Sequence, residues 1–262
     1  MRALVLSGGA AFGAYQAGAW AALAEAGWRP DLVVGASIGA INGFALSRGA
    51  SVDELRDLWT MWPGRLLESG GGRGRLPVWG QRRMFRRWLD QVVSEFSRRP
   101  RRWPLRITVT EMLTMSVRTF DDGEITAKHL MASCALPGVM PAVRIDGKLC
   151  IDGGFLYRLP LRAALKAGAT QAVTVDLLAV HPAKTMRQIP RMINRLRGEF
   201  REDGPIPTAE ELRGVDVIAV EHDKLLGDFW DSFEWSRAKA EKLIVAGHAD
   251  TRRALAAARI AS

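Results

Sequence analysis

Cysteine, histidine, tyrosine and lysine are all scarce in this chain of 262 residues, which holds two, four, two and seven of them. The two cysteines, Cys134 and Cys150, show no CxxC spacing and no neighbouring histidine. That pattern argues for small buried hydrophobes and against a disulfide or a metal site. No run of about 18 apolar residues is free of charge, so a membrane-spanning helix is not expected. Residues 1–3 lead straight into a strand-like segment, without the apolar core and cleavage site of a signal peptide, and a cytoplasmic protein is expected. No internal repeat is visible.

What the chain has in quantity is apolar surface and arginine. At 48% hydrophobic it can bury one sizeable core, and a single domain over residues 1–262 is expected. The net charge of +9 is unevenly placed: between Arg65 and Arg106, twelve arginines face only Glu68, Asp90 and Glu95, so this segment carries the whole excess. Arginine outnumbers lysine thirty to seven, and a genomic codon bias, which would explain part of that ratio, would not by itself gather the excess into one stretch.

Residues 32–43 read Leu-Val-Val-Gly-Ala-Ser-Ile-Gly-Ala-Ile-Asn-Gly. Three apolar residues form the end of a buried strand and Ile38 starts a helix, so Ser37 falls on the turn between them. A serine there is thrust out on a strained backbone, and Gly35 and Gly39 leave room for strand and helix to approach. The same spacing also arises by chance in a glycine-rich chain. Its place between strand and helix is what makes Ser37 a candidate nucleophile.

Upstream, residues 2–6 read as a first strand that ends in Ser7-Gly8-Gly9-Ala10-Ala11-Phe12-Gly13 before a helix over 14–26. Free amides at such a turn suit an anion. A nucleotide pyrophosphate is one option, weakened by Ala10 at the second glycine position and by the lack of an acidic residue closing the second strand. The oxyanion of an ester's tetrahedral intermediate is the other, favoured by Ser37 lying one strand away.

Downstream, residues 51–61 form a short helix with Ser51 as candidate cap. A basic Trp/Arg-rich segment follows at about 64–104. Within it, residues 81–97 place Met84, Phe85, Trp88, Leu89, Val92 and Phe96 at helical spacing, with Arg82, Arg83, Arg86 and Arg87 interleaved. Three readings stay open: an apolar face on the core with solvated arginines, an interfacial patch on anionic membrane with Trp79, Trp88 and Trp103 at headgroup level, or nucleic acid, for which one basic helix is weak evidence. The chain then turns β-rich, and a strand over 148–151 delivers Asp152-Gly153-Gly154. A carboxylate at a strand end suits a partner across the top of a sheet, although a plain turn aspartate looks the same. Further strands are expected at 171–176 and 215–220, a closing helix at 234–259, and a polar surface excursion at about 181–213.

Four stations in order resemble the patatin-like phospholipase family: Ser7-Gly8-Gly9-Ala10-Ala11-Phe12-Gly13-Ala14-Tyr15-Gln16-Ala17-Gly18, Gly35-Ala36-Ser37-Ile38-Gly39, Ala132-Ser133-Cys134-Ala135-Leu136-Pro137-Gly138-Val139-Met140-Pro141 and Asp152-Gly153-Gly154. The resemblance implies an α/β fold, a three-layer α/β/α sandwich on a mostly parallel sheet. It also implies lipid acyl hydrolysis of the phospholipase A, lysophospholipase or esterase type, by a Ser-Asp dyad with no histidine, metal or cofactor. Position by position, Ser37 matches the nucleophile, Asp152 its base, and the amides of Gly8, Gly9 and Ala10 the oxyanion donors, with Gly13, Gly35, Gly39, Gly153 and Gly154 completing the motifs. The implied partner is a lipid ester, met at the inner membrane face. The chain departs from the family pattern at Phe12, usually Lys or Arg, at Ala10, usually glycine, and at Phe155-Leu156-Tyr157-Arg158, where asparagines are frequent. Competing expectations are an acyltransferase, a Ser-His hydrolase of another fold using His129, His181, His222 or His248, or a non-catalytic lipid-binding module on the same fold.

Overall fold

The computed structural model describes residues 1–61, 78–178, 207–227 and 231–258. The start of the basic segment up to residue 77, the Trp79 side chain, His181 and most of the 181–213 excursion lie outside the described residues. Eight strands, β1 (Arg2–Leu6), β2 (Leu32–Ala36), β3 (Leu105–Glu111), β4 (Ser116–Asp121), β5 (Val143–Ile145), β6 (Lys148–Ile151), β7 (Gln171–Asp176) and β8 (Asp216–Glu221), form one mixed sheet. Its order is β5-β6-β3-β2-β1-β7-β8, with β4 on the remaining edge of β3. The strands from β3 to β8 in that order run parallel, and β4, β5 and β6 add antiparallel pairs at one end.

β1 and β2 are apolar almost without interruption because both of their faces are covered. Leu4, Leu6, Val33, Val173 and Val175 point into the larger core, while Ala3, Val5, Leu32, Val34 and Ala172 point the other way. The larger core is roofed by α1 (Ala14–Glu25), α2 (Ile38–Ser47), α3 (Val52–Thr60), α4 (Val78–Phe96), α5 (Ala127–Ser133) and α7 (Arg237–Ala257). Against the opposite face, Leu161 and Ala164 of the short α6 (Leu161–Leu165) bury the second layer. The architecture is thus a lopsided α/β/α sandwich.

Composition explains which helices go deepest. Every residue of α2 is buried, as a helix apolar all round must be. α1 and α7 meet at backbone distance, because a Cβ on Gly18 would stand 1.9 Å from the Ile244 carbonyl oxygen. α3 is amphipathic and starts with a capping box: the Glu54 amide donates to Ser51 Oγ (3.1 Å) and the Ser51 amide to Glu54 Oε2 (2.9 Å). Arg99 forks onto the same carboxylate (2.8 and 3.1 Å) and holds it down at about 2.

α4 corrects one expectation. Trp88 does not face a membrane: it is buried, its indole Nε1 donates to the Leu58 carbonyl (3.2 Å), and its ring packs at an angle against the stacked pair Trp59 and Trp235, with centroids 5.6 and 5.4 Å away. Leu89, Val92 and Phe96 follow it inward at helical spacing, so the apolar stripe is core. Trp103 likewise packs edge-on to Trp20 (5.4 Å) and is only partly exposed. Arg82, Arg83, Arg86 and Arg87 remain on the exposed face, where Arg82 Nε donates to the Val139 carbonyl. No helix among the described residues is long and apolar enough to cross a membrane.

Candidate active site

The two candidate catalytic residues are 115 positions apart, and one strand brings them together. One edge of β3 is occupied by β4 from Arg106 to Glu111. The other edge is shared: β2 pairs with it up to Ala36↔Thr108, and β6 pairs with it at Glu111↔Cys150 and Thr110↔Ile151. β2 runs parallel to β3 and β6 antiparallel, so their C-terminal ends converge on the level of Val109 from opposite directions. Ser37 is the next residue after one end, and Asp152 after the other. Ser37 Oγ donates to Asp152 Oδ2 at 2.6 Å.

Ser37 sits in a left-handed backbone conformation (φ 53°, ψ −125°), a strain on the order of 1–3 kcal/mol that neighbours must over-determine. Glycine is obligatory on both sides of it. A Cβ on Gly35 would lie 2.3 Å from the Gly39 carbonyl oxygen, and one on Gly39 2.3 Å from that of Leu6. The elbow is also pinned by a residue that the sequence placed in the third motif without assigning it a role: the Ser37 amide donates to Ser133 Oγ (2.9 Å), which donates to the Thr108 carbonyl (2.8 Å). The Ser133 carbonyl accepts the Gly153 amide (2.9 Å), so one buried serine ties the Ser37 turn to the Asp152 turn. From Leu32 to Ser47, Ser37 is the one residue that is not buried.

Asp152 is 5% exposed, and burial pushes its carboxyl up to about 6. The Ser37 hydroxyl and the Gly154 amide (2.7 Å to Oδ1) pull the other way by binding the ionised form. A carboxylate with that value is ionised at neutral pH yet retains enough basicity to take a proton. Its backbone is held as firmly: the amide donates to the Ala135 carbonyl (3.0 Å), and Thr110 Oγ1 donates to its carbonyl (2.9 Å). Cys134 is buried nearby, and burial raises its thiol well above the usual range, so it stays a neutral S–H.

The glycine turn follows β1 where the chain connections diverge, β1 leading to β2 on one side and β7 to β8 on the other. Sites in open parallel sheets form at such points. Gly8 packs against Ser37, since a Cβ there would lie 3.1 Å from the Ser37 Cβ. Its amide is not free, however: it donates to the Arg158 carbonyl at 3.0 Å, which corrects the expectation that it points to an oxyanion. The amides of Gly9 and Ala10 meet no acceptor among the described residues, and both residues are partly exposed. Ala10 adopts φ 48°, a left-handed conformation that costs a non-glycine residue roughly 1–2 kcal/mol. Beneath the turn, Gln16 Nε2 donates to the Ser7 carbonyl (2.8 Å), and Asn42 Nδ2 to Gly13 (3.0 Å) and Gln16 Oε1 (2.9 Å). Trp59 Nε1 donates to Asn42 Oδ1 (3.1 Å), closing a buried network.

Phe12, at the position where a cation was expected, is buried, and Lys239 Nζ of α7 sits 5.2 Å from its ring centroid. The three described histidines are engaged elsewhere: His129 with Thr126 Oγ1 (2.9 Å), His222 with Asp250 (2.6 Å) and His248 with Glu25 (2.8 Å). No group of three potential metal ligands occurs among the described residues.

Residues 4–165 match the family described as "Patatin-like phospholipase". Curated relatives include patatin-like phospholipase domain-containing protein 7 of Rattus norvegicus, 29% identical over 193 residues, and domain-containing protein 6 of Homo sapiens, 31% identical over 182. Each match covers 67% of this chain and 13% of the relative. Lysophospholipase nte1 of Aspergillus terreus is 27% identical over 187 residues, 66% of this chain and 12% of that protein. The chain thus matches only a small part of these much longer proteins. Among solved structures, VipD from Legionella pneumophila superposes with a TM-score of 0.56 at 14% identity, covering 98% of this chain and 67% of that one, a likeness of fold.

Proposed function

The chain belongs to the patatin-like phospholipase family, and from that premise we propose that it is a serine hydrolase cleaving carboxylic esters of glycerolipids or lysophospholipids. The observation that carries this reading is the 2.6 Å hydrogen bond from Ser37 to a buried carboxylate at a strained elbow. As Ser37 Oγ attacks the acyl carbonyl carbon, Asp152 Oδ2 accepts its proton. The negative charge that develops on the carbonyl oxygen is met by the amides of Gly9 and Ala10. Collapse of the intermediate breaks the bond to the alcohol, which leaves with the proton held by Asp152. Water then attacks the acyl-serine, again giving its proton to Asp152, and the fatty acid departs as Ser37 regains its hydrogen. Profiling of fatty acid release across purified lipid classes tests this reading. Release from at least one glycerophospholipid or lysophospholipid is expected, and no release from any lipid or soluble ester would contradict it.

The base has to be ionised for attack. With Asp152 lifted to about 6, kcat/KM on a soluble ester is expected to rise about tenfold per pH unit below that value and to level off above pH 7. A profile flat between pH 5 and 8 would count against Asp152 as the base.

The substrate's own surface is the proposed partner of the exposed α4 arginines. Arg86 and Arg87 lie one helical turn after Arg83 on the solvent face. At about 1 kcal/mol per cation near an anionic leaflet, replacing all three by Gln is expected to weaken vesicle binding by about a hundredfold. Sedimentation with anionic and neutral vesicles checks this, and equal binding to both, insensitive to salt, would refute it.

A further inference from the structure

Arg158 stands where asparagine is frequent in the family pattern, and its surroundings give that departure a purpose. Its guanidinium forks onto Asp176 at the end of β7, Nε to Oδ1 at 2.8 Å and Nη2 to Oδ2 at 2.7 Å. The Asp176 carboxylate is almost wholly buried, and its Oδ1 also accepts the Leu178 amide (3.1 Å). At the other end of the same residue, the Arg158 carbonyl accepts the Gly8 amide. The glycine turn is in turn fastened to β7: the Ser7 amide donates to the Val175 carbonyl (3.1 Å) and the Leu177 amide to Ser7 Oγ (2.9 Å). These bonds close a ring that runs from the turn at residues 7–8 through Arg158 to Asp176 and back through residues 175–177. The loop that starts at Asp152 is folded back onto Arg158, for a Cβ on Gly154 would lie 3.2 Å from the Arg158 Cα.

We infer that the Arg158–Asp176 fork is a positioning pair that fixes the amides of Gly9 and Ala10 relative to Ser37 Oγ. The inference rests on the proposed serine hydrolase reading. The ring contains the residues immediately before the two donors and the loop immediately after the base, so it locks three chain segments from three strand ends in one register. Only a planar guanidinium meets both oxygens of a carboxylate with two parallel N–H bonds, so a lysine keeps the charge but loses the angular restraint. A rotation of the turn shifts the donors from where the oxyanion forms, a defect expressed in the transition state and not in substrate binding.

The test compares Arg158→Lys and Arg158→Met with the wild type on a soluble ester, each normalised to the fraction of sites labelled by a fluorophosphonate. Affinity for a trifluoromethyl ketone, which forms a tetrahedral alkoxide on the serine, is measured alongside. Arg158→Lys is expected to lower kcat about tenfold and Arg158→Met about a hundredfold, with KM within twofold and ketone affinity falling by the same factors as kcat. Unchanged kcat, a rise confined to KM, or a fall in kcat with ketone affinity retained would overturn the inference. If Arg158→Met does not fold, Arg158→Lys, which keeps stem and charge, decides alone by the same readouts. A wild type that hydrolyses esters but takes no label at Ser37 sinks the underlying serine reading, and the inference with it, before any variant is compared.

Discussion

Ser37→Ala is expected to lower kcat/KM for a lipid ester by about 10^4–10^6, the loss seen when a nucleophilic serine is removed and only binding and oxyanion stabilisation remain. The magnitude follows from covalent catalysis, because without Oγ there is no acyl-enzyme and water must attack the ester directly. The variant should fold as the wild type does. The strained backbone at position 37 is set by Gly35, Gly39 and the Ser133 hydrogen bond to its amide, none of which involves the hydroxyl. What changes locally is Asp152, which loses the hydrogen bond that favours its ionised form and is left with the Gly154 amide, so its carboxyl rises further. Retention of more than about a tenth of wild-type activity would mean that the nucleophile lies elsewhere.

The second large effect runs in two directions at once. Asp152→Asn removes the base and is expected to lower kcat about 10^3–10^4-fold at pH 8. The same change is expected to stabilise the protein at that pH. Burial raises the folded-state value of this carboxyl to about 6, above the usual value of about 3.9 in an unfolded chain. The proton is therefore bound more tightly in the folded state, and the associated stability is fully present below about pH 4 and lost as pH rises through 6. At pH 8 the buried ionised carboxylate costs on the order of 2–3 kcal/mol, a strain stored at the site. Asparagine carries no charge there, keeps an acceptor for the Gly154 amide and can donate to Ser37 Oγ. Thermal melts should show the variant several degrees above wild type at pH 8 and level with it near pH 4. A variant that melts lower at pH 8 would contradict the assigned burial penalty.

The two carboxyl and hydroxyl positions were legible in the sequence for different reasons. Ser37 announces itself locally, because a valine-rich strand, a glycine two residues either side and a mostly apolar helix start can be read in twelve residues. Asp152 does not, since a turn aspartate before two glycines has no local mark of catalysis, and it was the order of motifs that singled it out. What joins them is that β2 and β6 share one edge of β3, a long-range pairing invisible to any window. The same limit hid the roles of the Ser133 and Thr110 hydroxyls and of the Thr108 main-chain carbonyl, whose hydrogen bonds join segments that periodicity cannot place side by side.

Two points that the sequence left to the tertiary fold have physical causes as well. A stripe of Phe85, Trp88, Leu89, Val92 and Phe96 has the same period whether it faces a core or a lipid surface, and only the tertiary neighbours Leu58, Trp59 and Trp235 decide that Trp88 is core. A glycine turn offers several amides, but which of them is already spent depends on a carbonyl 150 residues away, that of Arg158 on Gly8. The departures at Phe12 and Arg158 likewise carry no explanation in the sequence. In the fold Phe12 is a buried core residue beneath Lys239, and Arg158 is tied by three hydrogen bonds to the turn and to β7.

Fluorophosphonate labelling followed by peptide mass mapping tests the dyad most directly, because the reagent records which oxygen is nucleophilic and whether Asp152 makes it so. One adduct per chain on the peptide holding Ser37 is expected, formed faster as pH rises through about 6 and slowed at least a hundredfold in Asp152→Asn. An adduct on another residue in a chain that hydrolyses esters, or labelling of Ser37 that proceeds as fast with asparagine at 152, would contradict the account.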